Sequence, residues 1–189
     1  MKVYIQTDIE GVAGVTFFEN RTDNTPRAYE HGQRMRVLLT GEVNAAVRGA
    51  FDSGATEVLV NDNHGTGYNI LFEDLDPRCE IIHGRNCSGP AWMPELDDSF
   101  DALVLVGHHA MANTPGALLQ HSRWEINGGK LFLSEASMAA ALAGDLGVPS
   151  VFVSGDNLLV AEVSEKVTGI QAAVVKKALS PYQARSRTP

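Results

Sequence analysis

Short apolar runs alternate along this chain with longer amphipathic segments. Five of the runs predict strands, at residues 3–7, 57–61, 79–83, 102–107 and 150–155, and a weaker sixth covers residues 170–178. Most of these runs lack the apolar–polar alternation of a strand that faces water on one side. Nearly continuous apolar strands are typical of parallel sheets that are covered on both faces.

The segments between these runs carry apolar residues at helical spacing. They predict helices at residues 28–51, 134–147 and 157–167. Ser134 and Asp156 are suitable N-caps for the second and third helices. Strands that alternate with helices predict an α/β fold, with a mainly parallel sheet and helices on both faces. Such sheets bind ligands at the carboxyl ends of their strands.

Composition and charge narrow the classes of protein that this chain can belong to. Its 189 residues suit one core, and its net charge of −8 argues against a nucleic-acid partner. Asp8 interrupts the N-terminal apolar run, so no signal peptide is predicted, and no run approaches the roughly 20 residues that cross a bilayer. We therefore expect a cytoplasmic protein without a membrane partner. Cys79 and Cys87 lack zinc-site spacing, and reduced thiols are the expectation.

Acidic and histidine side chains follow the ends of several predicted strands. They are Asp8 and Glu10, then Asp62 and His64, then His108 and His109, and finally Glu135, which follows the short apolar stretch 131–134. Because parallel strands end at one edge of a sheet, we expect these side chains to converge there.

Each of these residues also has a plain structural interpretation. Asp8 and Glu10 fit a turn, His64 fits a hydrogen-bonded structural histidine, and Glu135 fits a favourable charge in the first turn of a helix. Asp62 is either a turn residue or a group that orients a ligand histidine, and we leave it outside the ligand set.

The convergence as a whole favours a metal centre. Carboxylates and imidazoles without cysteine suit zinc, manganese or another divalent first-row metal. Neighbouring residues point to opposite sides of a strand, so one of His108 and His109 should face the site while the other packs or meets solvent. Five protein ligands exceed the three of an open catalytic zinc, and a carboxylate shared between two ions accounts for the excess.

His121 follows a loop in which Pro115 and Gly116 predict a turn. A histidine above a metal centre is a candidate general acid or base, because its pKa lies near working pH. Without the metal centre, an ordinary surface histidine is the better interpretation.

Four blocks of the chain together resemble one known family. They are "VYIQTDIEGVAGV", "EVLVNDNHG", "ALVLVGHHAMANTPGALLQHS" and "INGGKLFLSEASMAAALAGDLGVPSVFVSGD". In this order, from residue 1 to about residue 180, they are similar to the zinc-dependent bacterial D-aminopeptidases of the DppA type. The combination of "DxEG", "VNDxH", "HAxAxTPG…HS" and "GD" is far more specific than any one of these motifs.

The resemblance implies two Zn²⁺ ions per subunit, another divalent metal being possible. It implies a bridging role for Asp8, further ligands at Glu10, His64, His109 and Glu135, and His121 as the catalytic histidine. This histidine would either move a proton or act directly on the scissile carbonyl, and both roles stay open. Within these blocks, the chain departs from the family in three places. Ser134 replaces a glycine, His108 stands where the family often has an aromatic residue, and the loop between His109 and His121 is one residue longer.

The resemblance further implies hydrolysis of short peptides with an N-terminal D-residue, such as D-Ala peptides, and assembly into a homo-oligomeric ring, a decamer. Residues 1–180 would form the α/β metallopeptidase domain, and residues 181–189 a tail leading toward a family C-terminal segment that is absent here.

Two other functions stay open. One is a dinuclear amidohydrolase or phosphoesterase, against which stand the lack of a P-loop and the few basic residues near the strand ends. The other is a non-catalytic binding or assembly module, if the chain is truncated.

Overall fold

The structure, a computed structural model, describes residues 1–20, 22–85 and 92–189. Its elements are β1 (Lys2–Thr7), α1 (Pro26–Asp52), β2 (Glu57–Asn61), a 3₁₀ turn (Phe72–Asp74), β3 (Glu80–Ile82), β4 (Ala102–His108), β5 (Trp124–Ile126), β6 (Leu131–Leu133), α2 (Glu135–Asp145), β7 (Ser150–Asp156), α3 (Asn157–Lys166), β8 (Gln171–Ser180) and β9 (Gln183–Ser186). Cys79 is a free thiol, and Cys87 lies outside the described residues. Among the residues described, no helix combines the length and the apolar character that a membrane span requires.

Seven strands form the main sheet, in the order β3-β2-β1-β4-β7-β8-β9. Every neighbouring pair is parallel except β8 and β9, which are antiparallel. The predicted mainly parallel sheet is thereby confirmed. Because β1 lies between β2 and β4, the residues that follow these three strands emerge side by side at one edge.

The helices cover both faces of this sheet, as predicted. Val3 and Ile5 of β1 belong to the core cluster that includes Leu39 and Val43 of α1. Tyr4 points to the other face and packs in the cluster that contains the buried residues of α2 and α3. Burial of each such side chain stabilises the fold by about 1.5–3 kcal/mol, so packing on both faces fixes the strands and the residues that follow them.

Two features of the chain differ from the pattern that the sequence predicts. β5 and β6 form a separate two-stranded hairpin, which the apolar pattern does not predict beyond the short apolar stretch 131–134. Its exposed positions leave no hydrophobic alternation to read, although Asn127 and Gly128, both at positive φ, are a common hairpin signal. Gln183–Ser186, within the expected tail, pairs with β8 as the last strand.

Candidate metal centre

Asp8 lies at the middle of the candidate site, directly after β1, which lies between β2 and β4. Its backbone N–H donates to the Val106 carbonyl at 2.9 Å, so its position continues the β1–β4 ladder. The side chain is buried, and its Oδ1 accepts from the Ile9 N–H at 2.8 Å. The second oxygen, Oδ2, lies 3.3 Å from His109 Nε2 and has no hydrogen-bond partner.

Glu10 and His64 form the side of the site that lies toward β2. His64 Nε2 lies 3.2 Å from Glu10 Oε1, and both side chains are largely buried. Burial alone would depress the pKa of His64, but the hydrogen bond and charge of Glu10 outweigh it and raise that pKa to about 9. In Glu10, the same contact outweighs burial and lowers the pKa of the carboxyl.

Asp62 acts on His64 through Asn69, a residue that the sequence analysis missed. His64 Nδ1 lies 3.2 Å from Asn69 Oδ1, an acceptor, so the Nδ1 position carries the proton. Asn69 donates from its backbone and its amide to the two Asp62 oxygens, each at 2.7 Å. Asp62 therefore stays outside the group of ligand atoms, as expected, and orients the histidine indirectly.

His109 and His108 take different places because the backbone bends between them and the rest of β4. Gly107 has a φ of +74°, and the register with β7 shifts between Leu105 and His108. His109 faces the site, whereas His108 packs in the interior, 1% exposed, with its Nδ1 3.8 Å from Asp8 Oδ2. Burial lowers the pKa of His108 to about 4, so this ring is neutral at physiological pH.

Glu135 enters the site from the first residue of α2. Its Oε1 lies 3.8 Å from His109 Nε2, and this neighbour outweighs burial and lowers the pKa of Glu135 to about 2. The helix start is held by a reciprocal cap between Ser134 and Ser137. Ser134 Oγ also donates to Glu162 Oε2 of α3 at 2.6 Å, so Ser134 ties α2 to α3.

His121 lies over His109 at the mouth of the site. The two rings stack with centroids 3.8 Å apart and planes at 13°. The Phe18 ring lies nearly perpendicular to that of His121, with the centroids 5.3 Å apart. His121 Nδ1 lies 3.0 Å from the Leu119 carbonyl, which leaves Nε2 directed toward Glu135 Oε1 at 3.9 Å. With a side chain that is 38% exposed, His121 is the most accessible of the predicted site residues.

The donor atoms form three groups, two of which share Asp8, while the third joins Glu10, His109 and His121. Asp8, Glu10 and His64 offer ligand atoms that lie within 4.8 Å of one another, and so do Asp8, His109 and Glu135. Asp8 Oδ2, Glu10 Oε2 and His109 Nε2 are buried without hydrogen-bond partners. Buried acceptors of this kind are costly unless a cation or a proton satisfies them. The donor set therefore fits a divalent metal bound on either side of Asp8.

Burial and the close approach of these acidic groups shift the pKa of the shared Asp8 carboxyl. Burial, together with the charges of Glu10 and Glu135, raises the pKa of Asp8 well above its usual range. A cation at this place would compensate the charges of the three carboxylates.

Two contacts behind the site fix the loops that carry these ligands. The Gly11 N–H donates to the Gly107 carbonyl at 2.8 Å, and a Cβ on Gly11 would lie 1.7 Å from the His108 carbonyl oxygen. Asp156, fully buried, caps α3 through Oδ1 and accepts from the Ala110 N–H through Oδ2 at 3.1 Å. The first contact holds the segment after Asp8, and the second holds the segment after His109.

Comparison with known proteins places this geometry in a family. The peptidase family described as "D-aminopeptidase" matches residues 1–189. This chain belongs to that family. A D-aminopeptidase of Bacillus subtilis (strain 168) is 35% identical over 196 residues, which is 100% of this chain and 68% of the relative. The resemblance predicted from the four sequence blocks is thereby confirmed.

A solved structure supports the same family membership. It is described as the Zn-dependent D-aminopeptidase DppA from Bacillus subtilis, a self-compartmentalizing protease. It superimposes with a TM-score of 0.86 at 31% identity, covering 100% of this chain and 68% of the neighbour. In the present chain, the five predicted ligands and His121 all lie at one site. Asn69 and Glu162 support these residues and gave no distinct signal in the sequence. Asp156 supports them too, and the sequence indicated it as a helix N-cap.

Proposed function

We propose that this chain is a metal-dependent D-aminopeptidase that releases the N-terminal D-residue of short peptides, D-Ala peptides first, at a centre of two zinc ions. The observation that carries the proposal is the pair of donor groups that share Asp8, whose buried Oδ2 has no hydrogen-bond partner. The preference for D-residues and for zinc rests on the family and on the Zn-dependent relative.

Each donor group would hold one ion. Asp8 would bridge them, with Glu10 and His64 on the β2 side and His109 and Glu135 on the α2 side. Bound zinc would polarise the scissile carbonyl and lower the pKa of a water molecule toward 7. Asn69 orients His64, and the cap at Ser134 orients Glu135, so the protein holds its ligands before the metal binds.

His121 would move a proton during the reaction. Because its Nδ1–H donates to the Leu119 carbonyl, the neutral ring presents an unprotonated Nε2 on the side of the site. This nitrogen can take a proton and pass it to the departing amine, as a general base and then a general acid. The exposure of His121 fits contact with substrate, whereas the buried His109 fits a ligand role.

We further propose that the chain assembles into a homo-oligomer, a decameric ring by resemblance to the family. The Bacillus subtilis neighbour is described as self-compartmentalizing, which supports this assembly for a chain of the same family. Size-exclusion chromatography with light scattering would measure the copy number, and a monomer at micromolar concentration would contradict the proposal.

Metal analysis is the first test of this function. Protein purified without chelator should contain close to two zinc equivalents per chain, and a protein that neither carries nor takes up divalent metal would refute the proposal. D-Ala-D-Ala should then be cleaved, whereas L-Ala-L-Ala and a chromogenic phosphoester should not. Cleavage of the phosphoester alone would assign the centre to a phosphoesterase, and two bound zinc ions without any turnover would favour a binding or assembly module.

A further inference from the structure

Lys176 is a buried cation that the proposed reaction does not use. It lies on β8 and is 2% exposed, while the next residue of the strand, Lys177, is exposed. Removing an ammonium group from water costs several kcal/mol unless hydrogen bonds and opposite charges compensate it. The burial of Lys176 therefore requires hydrogen-bond partners that offset the cost of removing its ammonium group from water.

The partners of Lys176 are backbone carbonyls of the loop that follows β1. Its Nζ donates to the Val15 carbonyl at 2.6 Å and to the carbonyl of Glu10. These two carbonyls bracket the segment that leaves the metal centre. Lys176 of β8 therefore binds both ends of this segment, although it lies 166 residues after Glu10 in the sequence.

The loop reaches Lys176 because it crosses the carboxyl edge of the sheet. It begins at β1, contacts the end of β4 through the Gly11–Gly107 hydrogen bond, and reaches β9, where the Gly14 N–H donates to Ser186 Oγ at 3.1 Å. Lys176 meets it between these two points. Residues of β8 thus hold a loop whose first part carries a proposed ligand.

Acidic side chains compensate the charge of Lys176 and add a second anchor. Glu42 of α1 accepts from the Ala13 N–H at 2.8 Å, in the middle of the same loop. Burial lowers the pKa of Lys176 to about 8, against the raising effect of nearby Asp156 and Glu42. The loop is therefore fixed by charged groups from α1 on one side and from β8 on the other.

We propose that Lys176 is a positioning residue of the metal centre, which sets the place of the Glu10 carboxylate by holding the Glu10 and Val15 carbonyls. The inference rests on the metal centre proposed above. It also predicts an asymmetry between the two donor groups. The group with His109 and Glu135 is held by the Asp156–Ala110 contact and the α2 cap, whereas Lys176 contacts the loop that carries Glu10.

Hydrogen exchange of the metal-free protein tests the positioning directly. Lys176→Met keeps the apolar stem and removes the donors, and Lys177→Met makes the same change at the exposed neighbour. We expect amides of residues 11–15 to exchange at least about tenfold faster in Lys176→Met alone, with β2 and β4 unchanged. Unchanged exchange in this loop, a uniform acceleration across the sheet, or a variant that does not fold would overturn the inference.

Calorimetric titration with Zn²⁺ tests the asymmetry. Loss of a group that supports a ligand typically weakens metal binding 10- to 100-fold, so one of two zinc equivalents should weaken by about that factor in Lys176→Met and the other should not. Equal weakening of both equivalents would contradict the positioning role. If the parent protein binds no zinc, the proposed function fails, while the exchange experiment still decides the role of Lys176.

Chemical rescue separates the ammonium group from the packing of the side chain. In a background with Cys79 and Cys87 replaced by serine, Lys176→Cys can be alkylated with 2-bromoethylamine while unfolded and then refolded. The product carries a lysine analogue with sulfur in place of one methylene. Slow exchange in residues 11–15 and binding of both zinc equivalents should return on alkylation, and failure to regain either would count against Lys176 as the anchor.

Discussion

Replacing Gly11 with alanine should destabilise the protein through a steric conflict in the backbone. The new Cβ would lie 1.7 Å from the His108 carbonyl oxygen and 2.3 Å from the carbonyl carbon, whereas carbon–oxygen contacts normally lie near 3.3 Å or beyond. The obstructing atoms belong to the end of β4, which is held between β1 and β7 and cannot move aside as a side chain could. The loop after Asp8 would have to withdraw instead.

The size of the effect follows from two contributions. Overpacking a well-packed interior costs about 1–3 kcal/mol. Withdrawal also breaks the 2.8 Å hydrogen bond from the Gly11 N–H to Gly107, and leaving a buried donor unsatisfied costs about 1–3 kcal/mol more. We expect the free energy of unfolding to fall by about 2–6 kcal/mol, a large part of the roughly 5–15 kcal/mol that a domain possesses.

Urea unfolding followed by far-UV circular dichroism, in chelator so that metal binding does not contribute, would measure this loss. Gly41→Ala is the matched control, because Gly41 is an exposed position of α1 with nothing within 4 Å of a new Cβ. Alanine is favoured over glycine in a helix, so this control should gain about 0.5–1 kcal/mol. A Gly11→Ala protein as stable as the parent would refute the steric argument.

Three further predictions concern the residues around the metal centre. His121→Ala should lower turnover of D-Ala-D-Ala by about 10²- to 10⁴-fold while zinc content stays unchanged, and loss of zinc would instead make His121 a ligand. Ser134→Ala removes a cap and a hydrogen bond to Glu162, so thermal unfolding should reveal a loss of about 1–2 kcal/mol, against none for the exposed Ser164→Ala. Below its pKa of about 9, His64 holds a proton that zinc must displace in order to bind. The apparent affinity of the protein for zinc should therefore rise roughly tenfold per pH unit from 7 toward 9. A flat pH profile in a competition titration would contradict this.

The convergence of ligands at one edge could be predicted from sequence because it depends on simple patterns. The runs at residues 3–7, 57–61 and 102–107 are too apolar to lie anywhere except in a covered sheet, and parallel strands share one carboxyl edge. The choice between His108 and His109 could not be made from strand alternation. It depends on the positive φ of Gly107, which interrupts that alternation, and only the family resemblance favoured His109.

Lys176 and Asn69, which support the proposed ligands, could not be predicted from such sequence patterns. Lys176 stands in "VVKKA", and because lysines are almost never fully buried, this sequence gives no sign that one of the pair is. It is buried because the loop after β1 crosses the sheet above it, and no local pattern encodes that crossing. Asn69 likewise lies in a polar loop, and its link between Asp62 and His64 exists only in three dimensions.

The order of residues along the chain gives the two contacts from β7 and β8 a consequence for biosynthesis. All five proposed ligands belong to the first 135 residues, yet Asp156 and Lys176, which hold the loops after His109 and Asp8, come later. At about 5–20 residues per second, a ribosome would expose the ligands seconds before their supports. A nascent chain would therefore carry its ligands on loops that these two anchors do not yet hold, and the donor geometry would be complete only when β7 and β8 have joined the sheet.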